Sequence, residues 1–201
     1  RTRIAGIILA GGASSRMGTP KALLRIGFET FIDHLVATFY SVVSPVIVVL
    51  GHDSELVREG MESRSPVTFA INPQPERGML SSFQCGLKML PSETSAVIFS
   101  PVDYPNCQSR TVARIAAEFR MHFRIHACDV VIPKCRGVKG HPVCISRRVA
   151  NELMEAPVTS LARDVIRQHI GTTVFVEVDD PGITDDVDTP EDYRTLVTAL
   201  S

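Results

Sequence analysis

Apolar runs rich in valine and isoleucine recur along this chain at Ile4–Ala10, Pro45–Leu50, Val67–Ile71, Ser95–Ser100, Asp129–Pro133, Pro142–Ile145 and Thr172–Val178. They are strand-length and have no regular polar alternation, which predicts strands covered on both faces. Between them the apolar spacing turns helical. Phe31, Ile32, Leu35, Val36 and Phe39 mark one helix within Glu29–Val43. Further helices are expected at Ser54–Gly60, Gly78–Leu90, Gln108–Met121, Arg147–Glu155, Ser160–Gln168 and Pro190–Leu200, the last with proline at its first position. Buried strands alternating with helices predict an α/β fold, a three-layer, Rossmann-like arrangement with a mainly parallel sheet and helices on both faces. One domain is expected over residues 1–201.

In such sheets ligands sit beyond the carboxyl ends of the strands, and the polar clusters of this chain fall there. They are Gly11–Lys21, Gly51-His52-Asp53, Asn72 to Gly78, and Pro101-Val102-Asp103. The first is the richest, as Leu9-Ala10-Gly11-Gly12-Ala13-Ser14-Ser15-Arg16-Met17-Gly18-Thr19-Pro20-Lys21. Glycines let backbone N–H groups approach a phosphate, and Arg16 and Lys21 add charge to the cradle. The spacing matches neither a P-loop nor the dinucleotide fingerprint. Leu9 to Ser15 and Lys21 are therefore candidates for holding a triphosphate. Asn72, Gly78 and Ser82 lie across a helix start that can hold a base edge, ribose or phosphate; ordinary capping accounts for each of them equally well.

Asp103 ends an apolar strand, where a carboxylate suits a hard divalent cation or a turn before Pro105. From Glu177 to Asp192 every charge is acidic. Close carboxylates repel, so a cation is an expected resident, with Asp188 the favoured ligand and Asp186 the alternate. Asp188 or Thr189 also suits the cap of the last helix, and Glu191 and Asp192 its first turn. Gly140-His141-Pro142 closes a second glycine-rich turn, with His141 either facing a substrate or incidental. His122 and His126 read as surface histidines.

The net charge of −1 excludes a global field for nucleic acid or anionic membrane. No apolar run reaches the ~20 residues of a membrane span, and no signal-peptide pattern opens the chain. Five cysteines without a Cys-x-x-Cys pair suit a reducing cytoplasm.

Together these motifs resemble the molybdenum cofactor (molybdopterin) nucleotidyltransferase family, cytidylyltransferase-like branch. The resemblance rests on Leu9–Lys21 with Ala22-Leu23-Leu24, on Asn72, Gly78-Met79, Ser82 and Gly86, and on Asp103-Tyr104-Pro105. Gly140-His141-Pro142 and Asp186-Val187-Asp188-Thr189-Pro190-Glu191-Asp192 extend it. It implies a nucleotide-diphospho-sugar transferase-like fold and attack by the terminal phosphate of molybdopterin on the α-phosphorus of an NTP, with pyrophosphate released. Arg16, Lys21 and Asp103 would be catalytic, Mg²⁺ on Asp103 and Asp188 would bridge the reacting phosphates, and His141 would face the acceptor. Lys134–Gln168, where the alternation of strands and helices weakens, is expected to be an insertion covering that acceptor, and the resemblance implies a molybdenum hydroxylase apoenzyme as recipient of the product. Pro20-Lys21 is similar to the CTP-using branch, whereas Gly11-Gly12 leaves GTP open. The rival expectations are a sugar-phosphate nucleotidyltransferase and a non-catalytic nucleotide-binding cofactor chaperone.

Overall fold

The computed structural model describes residues 2–12, 18–63, 65–123 and 128–200. The strands are β1 (Ile4–Ala10), β2 (Arg25–Ile26), β3 (Glu29–Thr30), β4 (Val46–Leu50), β5 (Thr68–Ile71), β6 (Ala96–Pro101), β7 (Val130–Cys135), β8 (Val138–Lys139), β9 (Val143–Ser146) and β10 (Thr173–Glu177). The helices are α1 (Phe31–Tyr40), α2 (Ser54–Gly60), α3 (Met79–Lys88), α4 (Ser109–Phe123), α5 (Arg147–Glu155), α6 (Ala162–Arg167) and α7 (Pro190–Ala199). The main sheet runs β10-β7-β9-β6-β1-β4-β5, with β8 paired to β7, while β2 and β3 form a separate ribbon. β1 pairs in parallel with β4 and β6, β4 with β5, and β10 with β7. Among the described residues only β9 and β8 run antiparallel to their neighbours in this sheet.

The expected double coverage is visible residue by residue. On one face Ile4, Ile8, Val46, Val48 and Ile98 pack with Phe31, Leu35 and Phe39 of α1 and Ile115 and Phe119 of α4. On the other, Ile7, Leu9, Ile47, Val49 and Phe99 pack with Phe83 and Leu87 of α3 and Leu153 of α5. Successive side chains point to opposite faces, and here both faces are dry. That leaves the strand ends as the place where polar groups meet solvent.

Two expectations change. The helix expected within Glu29–Val43 begins only at Phe31, because Glu29 and Thr30 pair with Arg25 and Ile26 and the Thr30 side chain caps α1 by accepting the Asp33 N–H. Lys134–Gln168, expected as an insertion, is built into the sheet. Its strand β9 lies between β6 and β7 in the middle of the sheet, and Gln84 of α3 donates to the Leu153 and Ala156 carbonyls at the end of α5. The closing helix starts as expected, with Pro190 at N1 and a capping box between Thr189 and Asp192. Among the described residues no helix is long and apolar enough to cross a membrane, and all five cysteines are unpaired.

Candidate active site

Two cavities meet beyond the carboxyl ends of β1 and β6. The first, of about 340 Å³, is lined by Leu9 to Gly12, Lys21, Asp53, Gly78 and Ser82 among others. The second, of about 550 Å³, is lined by Tyr104, His141, Phe175, Asp186 and Asp188 among others. Met79, Pro101 and Asp103 belong to both walls.

The floor of the first cavity depends on close backbone packing. A Cβ at Gly51 would sit 2.3 Å from the Gly11 carbonyl oxygen, so the turns after β1 and β4 touch main chain to main chain. Ala13, Ser14, Ser15 and Arg16 lie outside the described residues, as does His126. Ser82 is on the wall, but Asn72 is behind it. The buried Asn72 amide donates to the Ser81 and Ser82 hydroxyls at 2.8 and 3.0 Å, and its carbonyl oxygen accepts the Gln74 N–H at 3.0 Å. Asn72 thus holds Ser82 in place and lies outside the cleft lining. Gly78, with φ of 99°, directly precedes α3.

The junction is a charge cluster. One carboxylate oxygen from each of Asp103, Asp186 and Asp188 falls within 4.8 Å of the others. The Lys21 ammonium is 3.6 Å from Asp103 and pairs closely with Asp188. Burial pushes the Asp103 carboxyl above the ordinary range; Lys21 pulls it back, and Asp186 and Asp188 add to the rise. Asp186 is raised too, by burial and then by Asp188. Asp103 Oδ1 is buried with no hydrogen-bond partner among the described residues. Three acids facing one ammonium, with an orphaned buried oxygen, form a hard-oxygen donor set that fits a divalent cation.

Long-range hydrogen bonds assemble this junction. The Val187 N–H donates to the Asp103 carbonyl at 2.9 Å, between the two distal acids. Asp185 accepts from the Asn106 amide at 2.8 Å. Asp180, fully buried, accepts the Gln108 N–H at 2.9 Å, the Thr111 hydroxyl at 2.5 Å and the Gly182 N–H at 3.2 Å. Of the acidic run, then, Asp186 and Asp188 reach the cluster, while Asp180 and Asp192 accept backbone N–H groups and Asp185 accepts the Asn106 side-chain amide. Asp180→Ala is expected to strand these donors and lower the unfolding free energy by about 3 kcal/mol. A denaturation midpoint shifted at unchanged slope would show it, and an unshifted midpoint would refute it.

His141 packs between Phe99 and Tyr104, its ring centroid 5.9 and 4.6 Å from theirs. Its backbone N–H donates to the Ile183 carbonyl at 2.9 Å, and its Nδ1 is buried without a partner among the described residues. Burial lowers the imidazole to about 4, so it is neutral at pH 7. The Tyr104 hydroxyl is pushed up to about 12 by burial and by Asp186 and Asp103. Neither group can exchange a proton readily near neutrality. His122 lies on the α4 surface, its Nδ1 3.0 Å from the Glu118 carbonyl.

Tyr104 and Asp180 were not among the sequence candidates. Tyr104 had an available signal, sitting inside the quoted Asp103-Tyr104-Pro105 step. The role of Asp180 is set by Thr111, far along the chain, and carries no local mark.

The sequence and the fold both have known counterparts. The model of the MobA-like NTP transferase domain matches residues 6–174. The molybdenum cofactor cytidylyltransferase of Escherichia coli K12 is 26% identical over 190 residues, covering 94% of this chain and 93% of that protein. A probable molybdenum cofactor guanylyltransferase of Bacillus cereus G9842 is 35% identical over 140 residues, covering 69% of this chain and 65% of that protein. The crystal structure of Rv0371c from Mycobacterium tuberculosis H37Rv in complex with manganese matches 98% of this chain and 100% of its own, with a TM-score of 0.81 at 22% identity. Strand order, strand-end clefts and family match agree, and the chain belongs to the MobA-like NTP transferase family, as a nucleotidyltransferase.

Proposed function

We propose that this chain transfers a nucleotidyl group from an NTP, with CTP favoured, to the terminal phosphate of molybdopterin and releases pyrophosphate. The observation that carries this reading is the charge cluster on the wall shared by two cavities. A nucleotide in the first cavity and an acceptor in the second bring their phosphates together at Asp103. The glycine backbone of Gly11 and Gly12 cradles the triphosphate, Ser82 and Gly78 flank it, and Lys21 offsets charge on the α-phosphate and the departing pyrophosphate. Arg16 is assigned the same duty from the sequence motif. Asp103 and Asp188, with Asp186 beside them, would hold a divalent cation, taken as Mg²⁺; such an ion offsets negative charge on the reacting phosphoryl oxygens. The manganese complex of Rv0371c supports a divalent ion in this fold.

No side chain has to act as general base. A phosphate monoester, with its second pKa about 6, is already ionised at pH 7. The neutral His141 instead offers the acceptor one hydrogen bond inside an aromatic wall. Molybdopterin as acceptor rests on the names of the two relatives; CTP rests on Pro20-Lys21 and on the near full-length match to a cytidylyltransferase. The reading places the reaction in the cytoplasm, with a molybdenum hydroxylase apoenzyme as recipient of the product.

The test is a pyrophosphate-release panel of CTP, GTP, ATP and UTP against molybdopterin and sugar phosphates, with and without Mg²⁺. Release that needs molybdopterin and metal, with kcat/KM highest for CTP, is expected. Release with a sugar phosphate alone, or none with any acceptor, overturns the assignment, and a GTP preference overturns the choice of base.

A further inference from the structure

Met79 is the first residue of α3 and is 60% exposed. Within that helix only Met79 and Lys88 are exposed, while Leu80, Phe83 and Leu87 run into the core. A long apolar side chain left in water forfeits the burial that its neighbours gain. The backbone beneath it is nevertheless fixed. The Gly78 N–H donates to the Pro75 carbonyl at 3.1 Å, and the Ser81 hydroxyl donates to the Gly78 carbonyl at 2.8 Å. The Asn72 amide holds that hydroxyl in turn. Gly78 has φ of 99° and ψ of 177°, a conformation that residues with a Cβ rarely adopt. A turn that suits glycine thus delivers an apolar side chain to the cleft.

Among the described residues Met79, Pro101 and Asp103 line both cavities. Pro101 is buried at the end of β6, and Asp103 belongs to the charge cluster. Of the three, Met79 alone is both apolar and unbranched, with three rotatable bonds and a soft thioether. Val57 and Pro75 present apolar surface on the nucleotide side, and Phe99 and Val143 on the other. A side chain placed between them can pack against an occupant of either cavity.

Transfer at this junction has a competitor. Water can attack the α-phosphorus in place of the acceptor phosphate. Its oxygen forms the new P–O bond, the bond to pyrophosphate breaks, and a proton goes to solvent, leaving a nucleoside monophosphate. Lys21 and the carboxylate cluster stabilise charge in either attack, so they do not choose between the two nucleophiles. The choice falls to whatever keeps water out. Resting on the proposed reading of the junction as a nucleotidyl-transfer site, we propose that Met79 is a specificity-determining residue that selects the acceptor against water. With a nucleotide in the first cavity, its side chain folds over the junction and shields the α-phosphorus. The acceptor, entering the second cavity, packs against its other side.

The test has two parts, both on the full chain. Peroxide converts accessible methionine to its sulfoxide. Met89 and Met121, 47% and 58% exposed, line neither cavity and serve as references. The probes are CTP and GTP analogues with a methylene between the α- and β-phosphorus, with Mg²⁺. The preferred analogue is expected to slow Met79 oxidation about fivefold or more, read by peptide mass spectrometry, and to leave Met89 and Met121 unchanged. In the second part, hydrolysis of CTP and GTP to the monophosphate is measured without acceptor. Met79→Ala is expected to raise it about tenfold, while Met79→Leu, which keeps the apolar bulk, stays near the parent. Transfer to the acceptor should fall by only a few-fold in Met79→Ala, giving a changed ratio of transfer to hydrolysis. A merely structural defect lowers both reactions and cannot raise one. Met79 oxidised as fast with either nucleotide as without, or hydrolysis no faster in Met79→Ala than in the parent, overturns the proposal, even where transfer to molybdopterin is found. Covered Met79 and raised hydrolysis without transfer to molybdopterin overturn the acceptor reading alone.

Discussion

Asp103→Asn is expected to cut turnover about 10²–10³-fold, the usual cost of removing one group that stabilises transition-state charge, while making the metal-free protein more stable at pH 7. The two effects share a cause. Burial raises the Asp103 carboxyl, and the attraction of Lys21 does not cancel that rise. The folded chain therefore binds this proton more tightly than the unfolded chain, whose aspartates titrate at about 3.9. Stability then falls as pH climbs from that range through the folded pKa and stays reduced at neutral pH. Asparagine removes the charge that has to be desolvated and abolishes that part of the pH dependence. Thermal melts in chelator from weak acid to pH 7 should show the metal-free parent losing stability across the window and the variant losing less. Added Mg²⁺ should reverse the order, raising the parent's midpoint by binding only its folded state and leaving the variant's unmoved. A variant less stable than its parent in chelator, or one of near-normal turnover, would refute this account.

The opposition between stability and activity at Asp103 was not readable in the sequence, although the residue was. A carboxylate after Val97-Ile98-Phe99 belongs either to a turn or to a ligand site, and both readings fit the local string. What decides is the distance to Asp186 and Asp188, more than eighty positions away in the chain. The central parallel strands β1 and β4 were legible because each is apolar on both faces, and that is a local property. The antiparallel insertion of β9 between β6 and β7 was not, because Pro142–Ile145 is a short apolar run whose direction and neighbours depend on pairing with Val97–Phe99 and Val130–Val131. The same limit separated the acids of the last loop. Asp186 and Asp188 differ from Asp180 and Asp185 only in which distant N–H and amide groups they meet. Asn72 shows the converse case. Its position after β5 suggested a direct contact with a ligand, yet its amide is spent on Ser81 and Ser82.

Gly140→Ala is expected to cost about 3 kcal/mol of stability, at the upper end for forced overpacking, and a larger share of turnover. A Cβ at residue 140 would lie 2.1 Å from the Ile183 carbonyl oxygen and 2.6 Å from the carbonyl carbon. Both obstacles are backbone, so no rotamer change relieves them. Two hydrogen bonds hold the contact, from Gly140 N–H to the Pro133 carbonyl at 3.1 Å and from His141 N–H to the Ile183 carbonyl at 2.9 Å. The turn cannot swing away without losing both. The displaced strand of loop is the one that carries Asp186 and Asp188 to Asp103, and a misplacement of about 1 Å at reacting groups costs about 10²-fold. The nucleotide cleft is built from other segments, so CTP affinity should persist in the folded variant. Gly171→Ala is the control, since a Cβ there meets nothing within 4 Å. Denaturation curves, CTP titration and pyrophosphate release on the three proteins separate the outcomes. Parent-like turnover in Gly140→Ala would mean that the carboxylate cluster is not positioned through the contact between residues 140 and 183. Lost CTP binding in the folded variant would mean that the two cavities are not built independently.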